Sequence, residues 1–148
     1  MEDILLDEVY IYWLDRTMKS LKQQSQIILN NHGFNVTVDQ WVILKKIHDV
    51  AGSSQVAIAE STYKNPASIT RIIDSLVKKD LAERRPSPND RRRYGIFLTE
   101  QGQKLYQAML PVILELRKHA RQDVTDEELM TLKQILDKIY NRSEYLVE

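Results

Sequence analysis

The run from Asn65 to Gly102, NPASITRIIDSLVKKDLAERRPSPNDRRRYGIFLTEQG, constrains the fold more than any other part of this chain. It joins a short amphipathic helix, a basic hairpin and the start of a capped long helix without a spare residue. Asn65 suits a helix N-cap, and Pro66 follows at the first helical position, where a missing N–H costs nothing and the ring angle fits the helix. Ile69, Ile72, Ile73, Leu76 and Val77 make an inner stripe, which leaves Ala67, Ser68, Thr70, Arg71, Asp74, Ser75 and Lys78 outside. Leu81 to Pro86 and Arg93 to Leu98 read as short strands around a turn-rich loop, Ser87 to Arg92. Thr99 then caps the next helix.

Charge is concentrated in the same stretch. Lys64 to Arg93 holds nine Lys/Arg against four Asp/Glu, a net +5 in a chain whose formal charge is zero, so the rest carries −5. A positive patch on an otherwise acidic molecule builds a phosphate-binding surface while discouraging binding elsewhere. A helix with a small, polar start and a basic end, followed by a basic hairpin, predicts a winged helix-turn-helix. Small residues let the helix sink into a groove, where hydroxyl and guanidinium groups reach base edges and phosphates.

The flanks are helical. Ile4 to about Asn31 gives one long pattern, with Leu14, Met18, Leu21, Ser25 and Ile28 on one face and Leu6, Tyr10, Trp13 and Thr17 on an overlapping one. Such a wide apolar surface calls for two neighbours. Gly33 closes this helix in the left-handed conformation. Thr37 with Gln40 is a capping box opening a helix that carries Trp41, Leu44, Ile47 and His48 on one side, ending at Ala51-Gly52. A short helix near Ser54 to Ser61 presents Val56, Ala57 and Ala59, small enough for close helix approach. After Thr99 the apolar series is Leu105, Met109, Val112 and Leu116, to about Arg121. Thr125 and Glu128 form a second capping box before Leu129, Leu132, Ile135, Leu136 and Ile139.

The fold class expected is mainly α with a small β-hairpin wing: a DNA-binding lobe at 37–99, and helical segments 1–36 and 100–148 forming a dimerisation lobe, within a single 148-residue module. Acids in MEDILLDEVYIYW stand where a secretory signal needs basic then apolar residues, so a cytoplasmic location is expected. No apolar run approaches the ~20 residues of a membrane span. Zero cysteine excludes disulfides, thiolate zinc sites and thiol redox sensing. Histidines 32, 48 and 119 are scattered, and His119 with Asp123 has only the spacing of half a metal site. No G-x-S-x-G elbow, G-K-[ST] phosphate loop, H-E-x-x-H or cysteine nucleophile is present, so no catalytic residue, metal or cofactor is expected.

Three signatures in fixed order, Ser68-Ile69-Thr70-Arg71, Asp90-Arg91-Arg92 and Leu98-Thr99-Glu100-Gln101-Gly102, resemble the MarR family of bacterial winged-helix transcription regulators, and the likeness spans nearly the whole chain. The resemblance implies a homodimeric repressor or activator, with repression the leading expectation, on a pseudo-palindromic operator in double-stranded DNA, its occupancy changed by a small aromatic effector. It places the recognition helix in the major groove and the wing arginine, Arg92, in the minor groove. DNA contacts are then expected from Ser68, Thr70, Arg71, Ser75, Lys78, Arg84, Asp90, Arg91, Arg92 and Arg93. Asp90, two residues before Arg92, is expected to hold its guanidinium. Lys64, Lys78, Lys79, Arg84 and Arg85 contribute field more than specificity. Tyr10, Trp13 and Trp41 are the effector-binding candidates, against the plainer reading of aromatics as core. Asp80 stands where relatives often have Gly, and Asp tolerates a left-handed turn. Lack of cysteine and of clustered histidine sets the chain apart from the family's peroxide-sensing and zinc-responsive branches. The competing expectation from a different class is a winged-helix protein-interaction module whose hairpin meets an acidic partner.

Overall fold

The computed structural model describes residues 4–146. A 3-10 turn (Leu6–Glu8) precedes α1 (Tyr10–Asn31). Then come α2 (Val38–Asp49), α3 (Gln55–Thr62), α4 (Pro66–Lys78), strands β1 (Ala82–Ser87) and β2 (Asp90–Leu98), α5 (Glu100–Ala120) and α6 (Asp126–Ser143). The fold is mainly helical with one antiparallel hairpin, as the sequence predicts. Two compact units divide at Ile113/Leu114, a boundary that α5 runs through.

The first unit holds the core. Trp41, Ile43, Leu44 and Ile47 of α2, Ile58 and Ala59 of α3 and Ile69, Ile73 and Leu76 of α4 are buried together. Leu29, Ile96, Tyr106, Met109 and Ile113 join them from α1, β2 and α5. Each fully buried Ile or Leu contributes about 1.5–3 kcal/mol. Caps start the helices where the sequence puts them: Thr37 and Gln40 form the full capping box, and Asn65 Oδ1 accepts from Ser68 N at 2.8 Å. Gly33 closes α1 at φ 77°, and Asp80 takes φ 58° between α4 and the hairpin. Tyr63, at φ 55° after α3, is a left-handed residue that nothing in its side chain announces.

Gly102 explains its own place in the Leu98–Gly102 signature. A Cβ there would lie 1.9 Å from the Leu81 carbonyl oxygen, so α5 enters against the backbone between α4 and β1. Thr99 does more than cap: its hydroxyl accepts from Gly102 N at 3.0 Å and donates to Asp80 O at 2.6 Å. A Cβ at Gly95 would lie 2.7 Å from the Gly52 carbonyl oxygen, and Gly52 N donates to Ile96 O at 2.8 Å, pinning the hairpin base to the segment before α3.

Several expectations need correction. The first long helix starts at Tyr10 rather than Ile4, because Val9 is extended (φ −89°, ψ 117°) and the Trp13 indole N–H donates back to Asp7 O, stapling the preceding turn. Its wide apolar surface is not covered by the described residues: Tyr10, Trp13, Leu14, Met18 and Leu21 are all exposed, and only Leu29 is buried. On α3, Val56 and Ala57 face outward and Ile58 packs with Ala59 instead. On α5 Met109 is buried as expected, but its buried companions are Gly102, Tyr106 and Ile113, while Leu105, Val112 and Leu116 are only half-buried. The Gly102 contact and the stacking of Tyr106 on Trp41 (5.4 Å between centroids) choose that face. Pro111 sits inside α5 and has no N–H for the Gln107 carbonyl. β1 is shifted by one residue and β2 starts three residues earlier than expected, leaving only Pro88-Asn89 between them.

In the second unit, α6 opens with the Thr125–Glu128 capping box, and Arg121 reaches Asp126 at 2.7 Å. Leu129, Leu132 and Ile135 are exposed, while Leu136 and Ile139 are half-buried.

Substitution of the two glycines separates sterics from backbone preference. Gly102→Ala should destabilise by at least about 2 kcal/mol through overpacking. Gly33→Ala, with nothing within 4 Å of its Cβ, should cost only the left-handed penalty of about 1–2 kcal/mol. Urea unfolding followed by circular dichroism reads both, and equal costs would refute the assignment.

Candidate nucleic-acid interface

Sinking Ile69, Ile73 and Leu76 turns the opposite side of α4 to solvent. There Arg71, Asp74, Ser75, Val77 and Lys78 meet Arg84 of β1 around a concavity of about 490 Å³. Arg71 and Lys78 have no side-chain partner among the described residues. Arg84 is committed to Asp74 at 2.5 Å and also donates to Gln55 Oε1 at 3.4 Å. Gln55 in turn donates to the Thr70 hydroxyl at 2.6 Å, and that hydroxyl donates to Pro66 O at 3.0 Å. Thr70 is therefore exposed with its hydroxyl already engaged. Ser68 is half-exposed on the first turn, its backbone N–H taken by the Asn65 cap. Ser75 is half-buried and accepts from Gln40 Nε2 at 2.9 Å, so its hydroxyl points toward α2.

The hairpin register explains how the wing presents its arginines. Pairing runs regularly from Ala82↔Leu98 to Pro86↔Tyr94, then jumps to Ser87↔Asp90. Arg91, Arg92 and Arg93 are the excess residues at this bulge, opposite no partner on β1. All three are exposed. Asp90 does not hold the Arg92 guanidinium as the sequence suggested. Its Oδ1 accepts from the Arg92 backbone N–H at 2.9 Å, an Asx-type turn, and its Oδ2 lies 3.8 Å from Arg93 Nε. Backbone capping sets where the Arg92 side chain leaves the strand and leaves its guanidinium free.

The nine cations thus sort by what they already touch. Lys64 pairs with Asp39, Lys79 donates to Asn35 O and Gln40 Oε1, Arg84 pairs with Asp74, and Arg85 pairs with Glu83 while lying 4.6 Å over the Phe97 ring. Arg71 and Lys78 on α4 and Arg91 and Arg92 on the wing keep their charge unpartnered, and Arg93 has only the long Asp90 contact. The concavity gathers Arg71, Ser75, Lys78 and Arg84, whereas Arg91–Arg93 lie at the far end of the hairpin. Reading the sequence missed Gln55, which joins Thr70 to Arg84, since no periodicity marks a glutamine that bridges two other elements.

The aromatic candidates are not brought together by their packing. Tyr10 and Trp13 are exposed on the first turns of α1. Trp41 is a core residue stacked on Tyr106, as the plainer reading has it, and its indole N–H has no hydrogen-bond partner. His48 stacks on Tyr106 at 3.8 Å and its Nδ1 lies 3.2 Å from Gln103 Oε1, while His119 Nδ1 lies 3.4 Å from Glu115. Among the described residues no cluster of three metal-ligating side chains occurs, and no helix is long and apolar enough to cross a membrane.

Two antiparallel strands following a helix–turn–helix, with free cations on the second helix and on the strand tip, define a winged helix-turn-helix protein. Residues 36–94 match the MarR family, whose members are transcription regulators rather than enzymes. The chain is similar to the uncharacterized HTH-type transcriptional regulator YhbI of Bacillus subtilis, 39% identical over 87 residues. That match covers 59% of this chain and spans only about half, 55%, of YhbI. It is 28% identical to the HTH-type transcriptional repressor NicR of Pseudomonas putida over 109 residues, 74% of this chain and 69% of that one. A mutant MarR from E. coli complexed with operator DNA superposes with a TM-score of 0.74 at 28% identity, covering 93% of this chain and 99% of that chain.

Asp39, on the first turn of α2, ties α1 to the entrance of α4. Its carboxylate receives Lys22 of α1 at 2.7 Å and Lys64, just before the Asn65 cap, at 3.0 Å. Burial pushes its pKa up, but the hydrogen bonds and charges of the two lysines outweigh this and hold it below the ordinary 3.8. A folded-state pKa below the unfolded value means stabilisation is present above about pH 4 and is lost as pH falls through the folded pKa. Asp39→Asn should therefore flatten the decline in stability below about pH 4, measured by urea unfolding across pH, and leave its shape above pH 5 unchanged. An unaltered acid limb would show that the triad does not form in solution.

Proposed function

We propose that the protein is a sequence-specific, double-stranded DNA-binding transcriptional regulator acting in the cytoplasm as a homodimer on a pseudo-palindromic operator. It acts as a repressor, relieved by a small aromatic effector. The observation carrying this reading is the distribution of uncommitted charge: Arg71 and Lys78 free on the outer face of α4, Arg91 and Arg92 free at a bulged hairpin tip, and most other basic side chains of the segment paired internally. Ion pairing to duplex phosphates is the interaction for which such a distribution is suited. Free guanidinium groups on a thin hairpin fit a narrow A·T-rich minor groove, where the potential is most negative. The operator complex of the E. coli relative supports DNA as the partner, and the repressor activity in the name of NicR supports the sign of regulation.

Support for the dimer comes from the apolar surface left uncovered. The exposed apolar residues of α1 (Tyr10, Trp13, Leu14, Met18, Leu21) and of α6 (Leu129, Met130, Leu132, Ile135) form rows at helical spacing, more than a monomer gains by exposing. Residues 1–36 and 100–148 supply this dimerisation surface and residues 37–99 the DNA-binding lobe. Two recognition helices would then lie about 34 Å apart, one turn of DNA. An effector that prefers one spacing shifts occupancy by its differential affinity. Tyr10 and Trp13, bared in a single copy, are the aromatics such a ligand would meet.

Arg92→Ala should weaken operator binding at least tenfold, about 1.4 kcal/mol, and reduce the slope of log K against log salt by about 1. Arg85→Ala removes a guanidinium already held by Glu83 and Phe97 and should change affinity less than about threefold. Fluorescence anisotropy over a salt series reads both. A shallow salt slope for the unaltered protein, or equal affinity for random duplex, would instead favour an acidic protein partner. Met18→Glu, at an exposed position of α1, should leave the fold intact and yield monomers by sedimentation; a persistent dimer would sink the proposed interface.

A further inference from the structure

Gln40 is the only polar side chain in the buried class among the described residues, at 7% exposure, and it sits where three elements meet. Its Oε1 accepts from Thr37 N at 3.0 Å and from Lys79 Nζ at 3.2 Å, and its Nε2 donates to Ser75 Oγ at 2.9 Å. The ammonium and the backbone N–H can only donate, so the amide orientation follows from chemistry. Ser75 lies in the last turn of α4 and Lys79 is its C-cap residue. Lys79 also donates to Asn35 O at 2.6 Å. On the other side, Gln26 of α1 clamps the same segment, donating to Val36 O at 3.2 Å and accepting from Val38 N at 3.0 Å. An unbroken polar path therefore runs from α1, through residues 35–40, to the C-terminal end of the recognition helix.

We infer that Gln40 is a positioning residue for DNA recognition, setting the rotation of α4 relative to α1 and so the distance between the two recognition helices of the dimer. This rests on the proposed DNA-binding reading. The apolar stripe of α4 fixes which face is buried but is indifferent to small rotations about that contact. Hydrogen bonds are directional, and a buried amide with three of them tolerates only one arrangement of its neighbours. Through Gln26, the arrangement is referred to α1, whose exposed face is the proposed dimer surface. A change at Gln40 therefore alters where the cations of α4 are presented without altering how many there are.

The test uses the full-length protein and palindromic duplexes that the unaltered protein selects from a randomised pool, remade with one base pair added or removed at the dyad. Gln40→Met keeps the shape and abolishes the amide's bonds. It should lower the preference for native over altered spacing about tenfold while the slope of log K against log salt stays as in the unaltered protein. Gln40→Glu should retain the preference, since a carboxylate accepts from Lys79 and Thr37 and the Ser75 hydroxyl can turn to donate. If Gln40→Met does not fold, Lys79→Met, which breaks the same joint from α4, should show the same relaxation. Folded Gln40→Met or Lys79→Met with undiminished spacing preference, or Gln40→Glu as relaxed as Gln40→Met, overturns the assignment. An unaltered protein that selects no duplex overturns the DNA-binding reading and this inference with it.

Discussion

The burial of Ile69, Ile73 and Leu76 against α2 and α3 is the contact on which everything else in the DNA-facing lobe depends. Three fully buried branched side chains contribute roughly 5–9 kcal/mol in gross terms. The polar contacts on the outer side of α4, such as Arg84–Asp74, are surface ion pairs of about 0–1 kcal/mol each. The apolar stripe therefore decides how α4 lies, and the polar face takes the position left to it. At helical spacing that position carries Arg71 and Lys78 outward, and no alternative packing hides them without exposing the isoleucines.

Weak surface pairs still matter, for a different reason. They decide which cations remain available. Arg85 between Glu83 and Phe97, and Lys79 turned in toward Asn35 and Gln40, are removed from the pool of mobile positive charge at little cost. Arg91 and Arg92 escape because the register shift opposite Pro86 and Ser87 leaves them without cross-strand neighbours. Asp90 contributes through its hydrogen bond to the Arg92 backbone, which stabilises the turn without neutralising the guanidinium. Arg84 is intermediate: it is one-third exposed and held by Asp74, a pairing that a phosphate could replace at small expense.

Local chemistry was legible in the sequence wherever a residue acts on its immediate neighbours. Thr37 with Gln40, Asn65 with Pro66 and Thr125 with Glu128 start helices as read, because a cap needs only a side-chain oxygen and an N–H three residues on. Gly33 and Asp80 take the left-handed turns expected of them. The α4 stripe was equally plain, being strongly amphipathic on its own. What was not legible depended on partners distant in the chain. Met109 of α5 is buried as read, but whether Leu105, Val112 and Leu116 or Tyr106 and Ile113 go deepest beside it is decided by the backbone of Leu81 pressing on Gly102 and by Trp41 stacking on Tyr106. Ser75 looked like an outward hydroxyl until Gln40, 35 residues away, claimed it. The apolar face of α1 was readable as a face, but its exposure within the chain was not, since periodicity reports that a surface is apolar and not what covers it.

The joint at the start of α2 differs in kind from the core it adjoins. Asp39 reaches Lys22 and Lys64, and Gln40 reaches Ser75 and Lys79, so one turn of helix holds both ends of α4 and is itself held to α1 by Lys22 and Gln26. Each such bond is worth about 0.5–1.5 kcal/mol net. Rearranging two or three of them costs the 1–3 kcal/mol at which a ligand typically couples two sites. Repacking Ile73 or Leu76 costs more than that and gives no defined alternative. A regulator whose α4 must be firmly seated yet adjustable in direction is served by this division: apolar contacts that keep the helix in place, and a small set of directional bonds, tied to α1, that say where it points.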